Sequence, residues 1–207
     1  MLSLTKELED KVRLSNGKTY KLRLDYRTVL KWYEMLEDDS INEIHKISNA
    51  FSLFVGDVKG VKFSLEEKAK LVNYIGNLIT ERPYENKVLE DTNPNAVNKK
   101  YFSYTKDAEA IYASFLYDYN IDLLECPGMR WEKFQALFSN LSEDSPFMRI
   151  VRIRQTDTSN MEADQMAQVT ELQNYYALDE KDTAKNVEAD MTNVFNIFKA
   201  NSIKKGG

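Results

Sequence analysis

Cysteine is almost missing from this chain: Cys126 stands alone among 207 residues. No intrachain disulfide can form, and a reducing compartment is the natural expectation. Its place beside Pro127 predicts a partly buried small residue next to a turn. Histidine is as scarce. His45 is the only one, and any Ser-His-Asp triad would have to be built round a helical residue beside Ile44, far from any serine-elbow or HExxH pattern. It reads as a half-exposed helix residue. A Walker lysine loop, GxGxxG and CxxC are all missing as well. Seven glycines and four prolines are too few for a turn-rich β fold and favour long helices. No apolar run approaches the roughly 18 residues that cross a bilayer. The opening MLSLTKELEDKV is too acidic and too poor in apolar residues for a signal peptide. A cytosolic protein without membrane contact is expected.

What is present is ordinary for a globular chain: 43% hydrophobic and 29% charged residues, in a length that permits one large domain or two small ones. The charge is uneven. Residues 1–100 hold 17 Lys/Arg against 16 Asp/Glu, and residues 101–207 hold 11 against 17. Phosphate binding needs a basic surface, so the acidic second half argues against a nucleic-acid partner.

Apolar and polar residues alternate on both sides of Asn16-Gly17, a dipeptide that accepts positive φ, and predict a β-hairpin over about residues 11–24. Val12 and Leu14 would share one face, as would Tyr20, Leu22 and Leu24. After Asp25, Val29, Trp32, Tyr33 and Leu36 follow helical spacing. Ser40-Ile-Asn-Glu43 reads as a capping box opening a helix with Ile44, Ile47, Phe51, Phe54 and Val55 inward. Gly56 to Gly60 ends it. Ser64-Leu-Glu-Glu67 is a second capping box, before a helix that buries Leu65, Val72, Ile75, Leu78 and Ile79 and stops at Arg82-Pro83.

Residues 83–104 lack periodicity and read as a long connector. The next helix places Ala108, Ile111, Tyr112, Phe115 and Tyr119 on one face. A break at Cys126-Pro127-Gly128 follows, then a helix with Trp131, Phe134, Phe138 and Leu141 inward. Ser142 to Pro146 is a helix entry for Phe147–Arg154. Beyond Gln155 the stripes are narrow: Met166, Val169, Gln173 and Tyr176, then Val187, Met191, Val194 and Phe198. Such stripes need the main body or another chain to cover them. The expected fold is mainly α, a helical bundle with a small N-terminal β-hairpin and a C-terminal helical extension. Residues 1–104 would form the hairpin and a helical subdomain ending in the long loop. Residues 105–207 would form a second helical subdomain with weakly packed C-terminal helices.

No catalytic set emerges, and no metal or cofactor is expected. Asp118, Asp122 and Glu125 cluster, but they lack the regular spacing and glycine of a calcium loop, so Asp122 is read as bonding local amides or an arginine. Arg149, Arg152 and Arg154 form a basic group near Arg130 and Lys133. They read as a solvated helix face that pairs with acids such as Glu143 and Asp144, with a protein contact as the second reading.

Taken in order, Ile111-Tyr-Ala-Ser-Phe115, Asp118-Tyr-Asn-Ile-Asp-Leu123, Trp131-Glu-Lys-Phe-Gln-Ala-Leu137 and Ile150-Val-Arg-Ile-Arg154 resemble the bacteriophage gene-product-fifteen family of siphophages infecting Gram-positive hosts. The Val29-Leu30 helix ending in Glu37-Asp-Asp39 resembles it too. The likeness spans about residues 18–155; it departs at Asn120, where glycine is expected, though asparagine also tolerates left-handed geometry. The resemblance implies a non-enzymatic tail assembly chaperone. Such a protein works in the host cytoplasm, binds the tape measure protein and assists tail tube assembly. It admits the major tail protein, a second tail assembly chaperone and a second copy of the chain as further partners. The alternative is a structural tail or head–tail completion protein of the virion. Helix-in-groove binding would draw on aromatic and arginine side chains, here Tyr112, Phe115, Tyr119, Trp131, Phe134, Arg149, Arg152 and Arg154, although core packing competes for the aromatics.

Overall fold

Asn16-Gly17 turns the chain as its residue types require. The computed structural model, which describes residues 2–58, 60–80 and 101–178, pairs β1 (Lys11–Arg13) with β2 (Thr19–Lys21) antiparallel, Val12 opposite Tyr20. Gly17 adopts φ +76°, and Asn16 Oδ1 accepts the Lys18 amide at 3.0 Å, the local bonding that suits asparagine to turns. Pairing stops before the alternation does. Leu22 still donates its amide to Asp10 O at 2.6 Å, but the Arg23 amide turns to Phe54 O at 2.8 Å and Asp25 bridges to Arg130; Leu22 and Leu24 enter the core, 3% and 2% exposed.

Asp25 then caps α1 (Tyr26–Glu37) by accepting the Thr28 amide, and Val29, Trp32 and Leu36 are buried along it. The start of α2 (Glu43–Val55) differs from the expected capping box. Asn42 is the cap, accepting the His45 amide, while Ser40 is taken by Asp38, which accepts both its amide (2.8 Å) and its hydroxyl (2.6 Å). Ile44, expected inward, falls in the first turn and lies 56% exposed. Ile47, Ala50, Phe51 and Phe54 form the buried face. Gly56, at φ +81° and ψ −175°, closes the helix with its amide on Ser52 O, in an extended positive-φ conformation that glycine alone adopts without strain.

Ser64 and Glu67 form the reciprocal box read from the sequence. Ser64 N donates to Glu67 Oε2 at 2.7 Å, and Glu67 N donates to Ser64 Oγ at 3.2 Å. This opens α3 (Leu65–Thr80), which packs on α2 and buries Leu71, Val72, Ile75 and Ile79, while Leu65 and Leu78 are only half-buried.

The remaining described helices are α4 (Ala108–Tyr119), α5 (Trp131–Phe138), α6 (Pro146–Gln155) and α7 (Ala163–Tyr175). Asn120 ends α4 at φ 52°, ψ 35°, the left-handed position that its replacement of glycine requires. Ser145 caps α6, with Pro146 in the first turn, where a missing N–H costs nothing. The chain is thus mainly helical, with an N-terminal hairpin and a C-terminal helical region. No described helix is long and apolar enough to cross a membrane. The Arg82-Pro83 stop, the connector as far as residue 100 and the stripe from Val187 to Phe198 lie outside the described residues.

Contacts separate two compact units. Among the described residues, one comprises 2–80 with 128–134, the other 101–127 with 135–178. Helix α5 gives Trp131–Phe134 to the first and residues 135–138 to the second.

Candidate functional site

In the first unit, Trp131 and Phe134 are each 1% exposed. The Trp131 amide donates to Leu24 O at 2.8 Å, and its indole Nε1 donates to Ile79 O at 2.8 Å. Its ring meets Phe134 at 5.5 Å, and Phe134 stacks on Tyr26 at 5.0 Å. Both side chains complete this unit's core and offer a partner no surface. Arg130 is held by Glu132 (2.6 Å) and by the Glu9 carbonyl (3.0 Å). A recess of about 260 Å³ lies between the hairpin and the α2–α3 pair, floored by Val12, Leu14, Phe51, Phe63 and Leu71. At its rim Glu67 is held below the ordinary glutamate range by the Ser15 hydroxyl first, then by the Ser64 amide.

In the second unit Phe115 is fully buried, and Tyr119 places its hydroxyl 2.9 Å from Leu137 O and 2.8 Å from Asn140 O. Burial, then the Asp118 charge, pushes the Tyr119 hydroxyl up. Tyr112 is half-buried and donates to Asp122 at 3.2 Å. The carboxylates read as a possible cluster are spent locally. Asp118 accepts the Ser142 amide (2.7 Å) and hydroxyl (2.6 Å), and Asp122 accepts the Leu124 amide (2.8 Å). Among the described residues no three His, Cys, Asp or Glu side chains group as metal ligands.

The arginines divide sharply. Arg149 is exposed, and Arg152 reaches the Glu143 carbonyl at 2.7 Å and its carboxylate at 3.6 Å, as expected of a solvated face. Arg154 does not belong to that face. Its side chain is 9% exposed and forms a two-armed pair with Asp107, itself 4% exposed, at 2.7 and 2.8 Å. It also donates to the carbonyls of Tyr101 and Tyr176. The reason is position: Arg154 sits at the end of α6, where the start of α4 and the end of α7 converge on it, and a planar five-donor fork is the side chain that serves all three.

Two further partners escaped the sequence reading. Asp107 precedes α4 but makes no capping bond there; nothing in the spacing marks a partner 47 residues away. Ser114 Oγ, fully buried, accepts the Phe147 amide at 2.9 Å and donates to Ala110 O, so one helix caps another. A small polar residue within the Ile111–Phe115 face was the available sign. Cys126 is exposed, not partly buried, because Leu123 takes the inward place in that turn. His45 is exposed, with Nδ1 2.8 Å from Asn42 Oδ1.

No curated protein and no solved structure matches the chain. The sequence model described as Bacteriophage Gp15 protein matches residues 8–178, which takes in every described element from the hairpin to α7. This chain, a bacteriophage protein, belongs to the Bacteriophage Gp15 protein family.

Proposed function

We propose that the chain is a non-enzymatic tail assembly chaperone, acting in the host cytoplasm on the tape measure protein during tail tube assembly. The observation that carries this reading is α7. None of its 13 residues is buried, and Met166, Leu172 and Tyr175 are 43%, 43% and 80% exposed. An isolated helix of that length is marginal in water. This one is tied down by polar bonds, Gln173 donating to the carbonyls of Ile153 and Thr156 and Arg154 to that of Tyr176. A helix so weakly buried gains its packing from another chain. The major tail protein, a second assembly chaperone and a further copy of this chain are additional partners of the same kind.

Co-expression tests the reading. Tape measure protein should be soluble with this chain and aggregate without it, and purified virions should lack the chain on mass spectrometry. Virions that contain it, with no co-purification of tape measure, would make it a structural tail or head–tail completion protein instead.

A further inference from the structure

Helix α4 is apolar or aromatic at nine of twelve positions, yet only Ile111, Ser114 and Phe115 are buried. A helix apolar on all sides is normally enclosed. Here the side opposite the core carries Glu109, Ala113 and Leu116 in line at i, i+4 and i+7, with Tyr117 beside them. Leu116 is 38% exposed and Tyr117 65%. The surroundings have one sign. Residues 108–129 contain Glu109, Asp118, Asp122 and Glu125 and no lysine or arginine. Asp122 is fastened against α4 by the Tyr112 hydroxyl. That hydroxyl is pushed up by burial and then by the charges of Asp122 and Glu125. Over the whole second unit the described residues hold four Lys/Arg against eleven Asp/Glu.

From this juxtaposition we infer that the outward face of α4 is a docking surface for a basic amphipathic helix of a partner protein, with apolar anchors on Leu116 and Tyr117 and lysines or arginines against Glu109 and Glu125. The mode is helix recognition by i, i+3, i+4 and i+7 anchors, with charge selecting the partner. A second copy of α4 is the wrong occupant, because it would bring the carboxylates together. Nucleic acid and anionic membrane are repelled for the same reason. The surface deepens the chaperone reading and rests on it only for the partner's identity.

The test uses the full chain and two synthetic helical peptides. Both carry leucine at i, i+3, i+4 and i+7; one has lysine on its flanks and the other glutamate. Fluorescence anisotropy should show binding of the lysine peptide alone, weakened by added salt. Leu116→Glu should weaken it by about tenfold or more. The double change Glu109→Lys/Glu125→Lys, at exposed positions where the fold is unaffected, should reverse the preference. Equal binding of the two peptides, or indifference to both variants, overturns the inference. The same variants in tape measure co-expression separate the two claims. Peptide binding indifferent to both variants, with tape measure kept fully soluble by both, removes the surface and leaves the chaperone reading. Lysine-peptide binding lost in Leu116→Glu, with tape measure never co-purifying, removes the chaperone reading and leaves the surface.

Discussion

The two units are built from different materials. Of the 23 buried apolar residues described, 17 belong to the first unit and six to the second, whereas four of the five buried polar residues, Ser103, Asp107, Ser114 and Ser145, belong to the second. The first is held by apolar burial, which is non-directional and spread over many side chains. The second relies on a few directional bonds, each of which leaves a buried group unpaired if it is lost. Substitutions should therefore be absorbed in the first unit and felt sharply in the second.

The largest expected effect is at Arg154. Arg154→Met leaves Asp107 as an uncompensated buried charge and should cost about 3–5 kcal/mol. Hydrogen exchange should show lost protection in α4 and α6 while α2 and α3 stay protected; equal loss in both units would erase the contrast between them. Next come Ser114→Ala, which strands the Phe147 amide, and Trp131→Phe, which strands the Ile79 carbonyl. Each should lower stability by about 1–3 kcal/mol in denaturant titration. Trp32→Phe is the control for the second of these. Trp32 Nε1 is buried without a hydrogen-bond partner among the described residues, so removing it relieves an unpaired donor while losing volume, and the net change should stay within about 1 kcal/mol. A Trp32→Phe cost as large as that of Trp131→Phe would mean that volume, not the indole N–H, decides both.

The smallest effect is a pH dependence at Glu67. Its folded carboxyl is held below the ordinary range by the Ser15 hydroxyl and the Ser64 amide. Its contribution is complete above the range of an unfolded glutamate and is lost as the pH falls through the lowered folded value. Glu67→Gln should flatten that part of the acid limb in thermal melts, and an unchanged limb would remove Glu67 from it.

This division also explains what could be read from the chain. Caps, turns and apolar stripes are local: Asn16-Gly17, Ser64 with Glu67 and Ser145-Pro146 state their roles within four residues. The α2 cap misled because Ser40 and Asn42 both suit the position, and Asp38, within two residues of Ser40, decided between them. Arg154 was read by its neighbours on α6, as one charge in a solvated row, whereas its role depends on Asp107 and on two carbonyls brought to it by folding. The aromatics carry the same ambiguity. Spacing marked Phe115, Trp131 and Phe134 together with Tyr112 and Tyr119, and only packing divides the sealed rings from those that keep an edge in solvent.

Trp131 also sets an order of events during synthesis. In the first unit the Leu24 and Ile79 carbonyls accept from Trp131 and the Tyr26 amide donates to Met129 O, so these three bonds wait until Met129 and Trp131 are made. At about 5–20 residues per second, the stretch from Thr80 to Trp131 takes about 3–10 s to translate. A nascent chain halted before Gly128 would carry the hairpin and α1–α3 with an unfinished core, so this unit is closed by the segment that links the two halves of its neighbour.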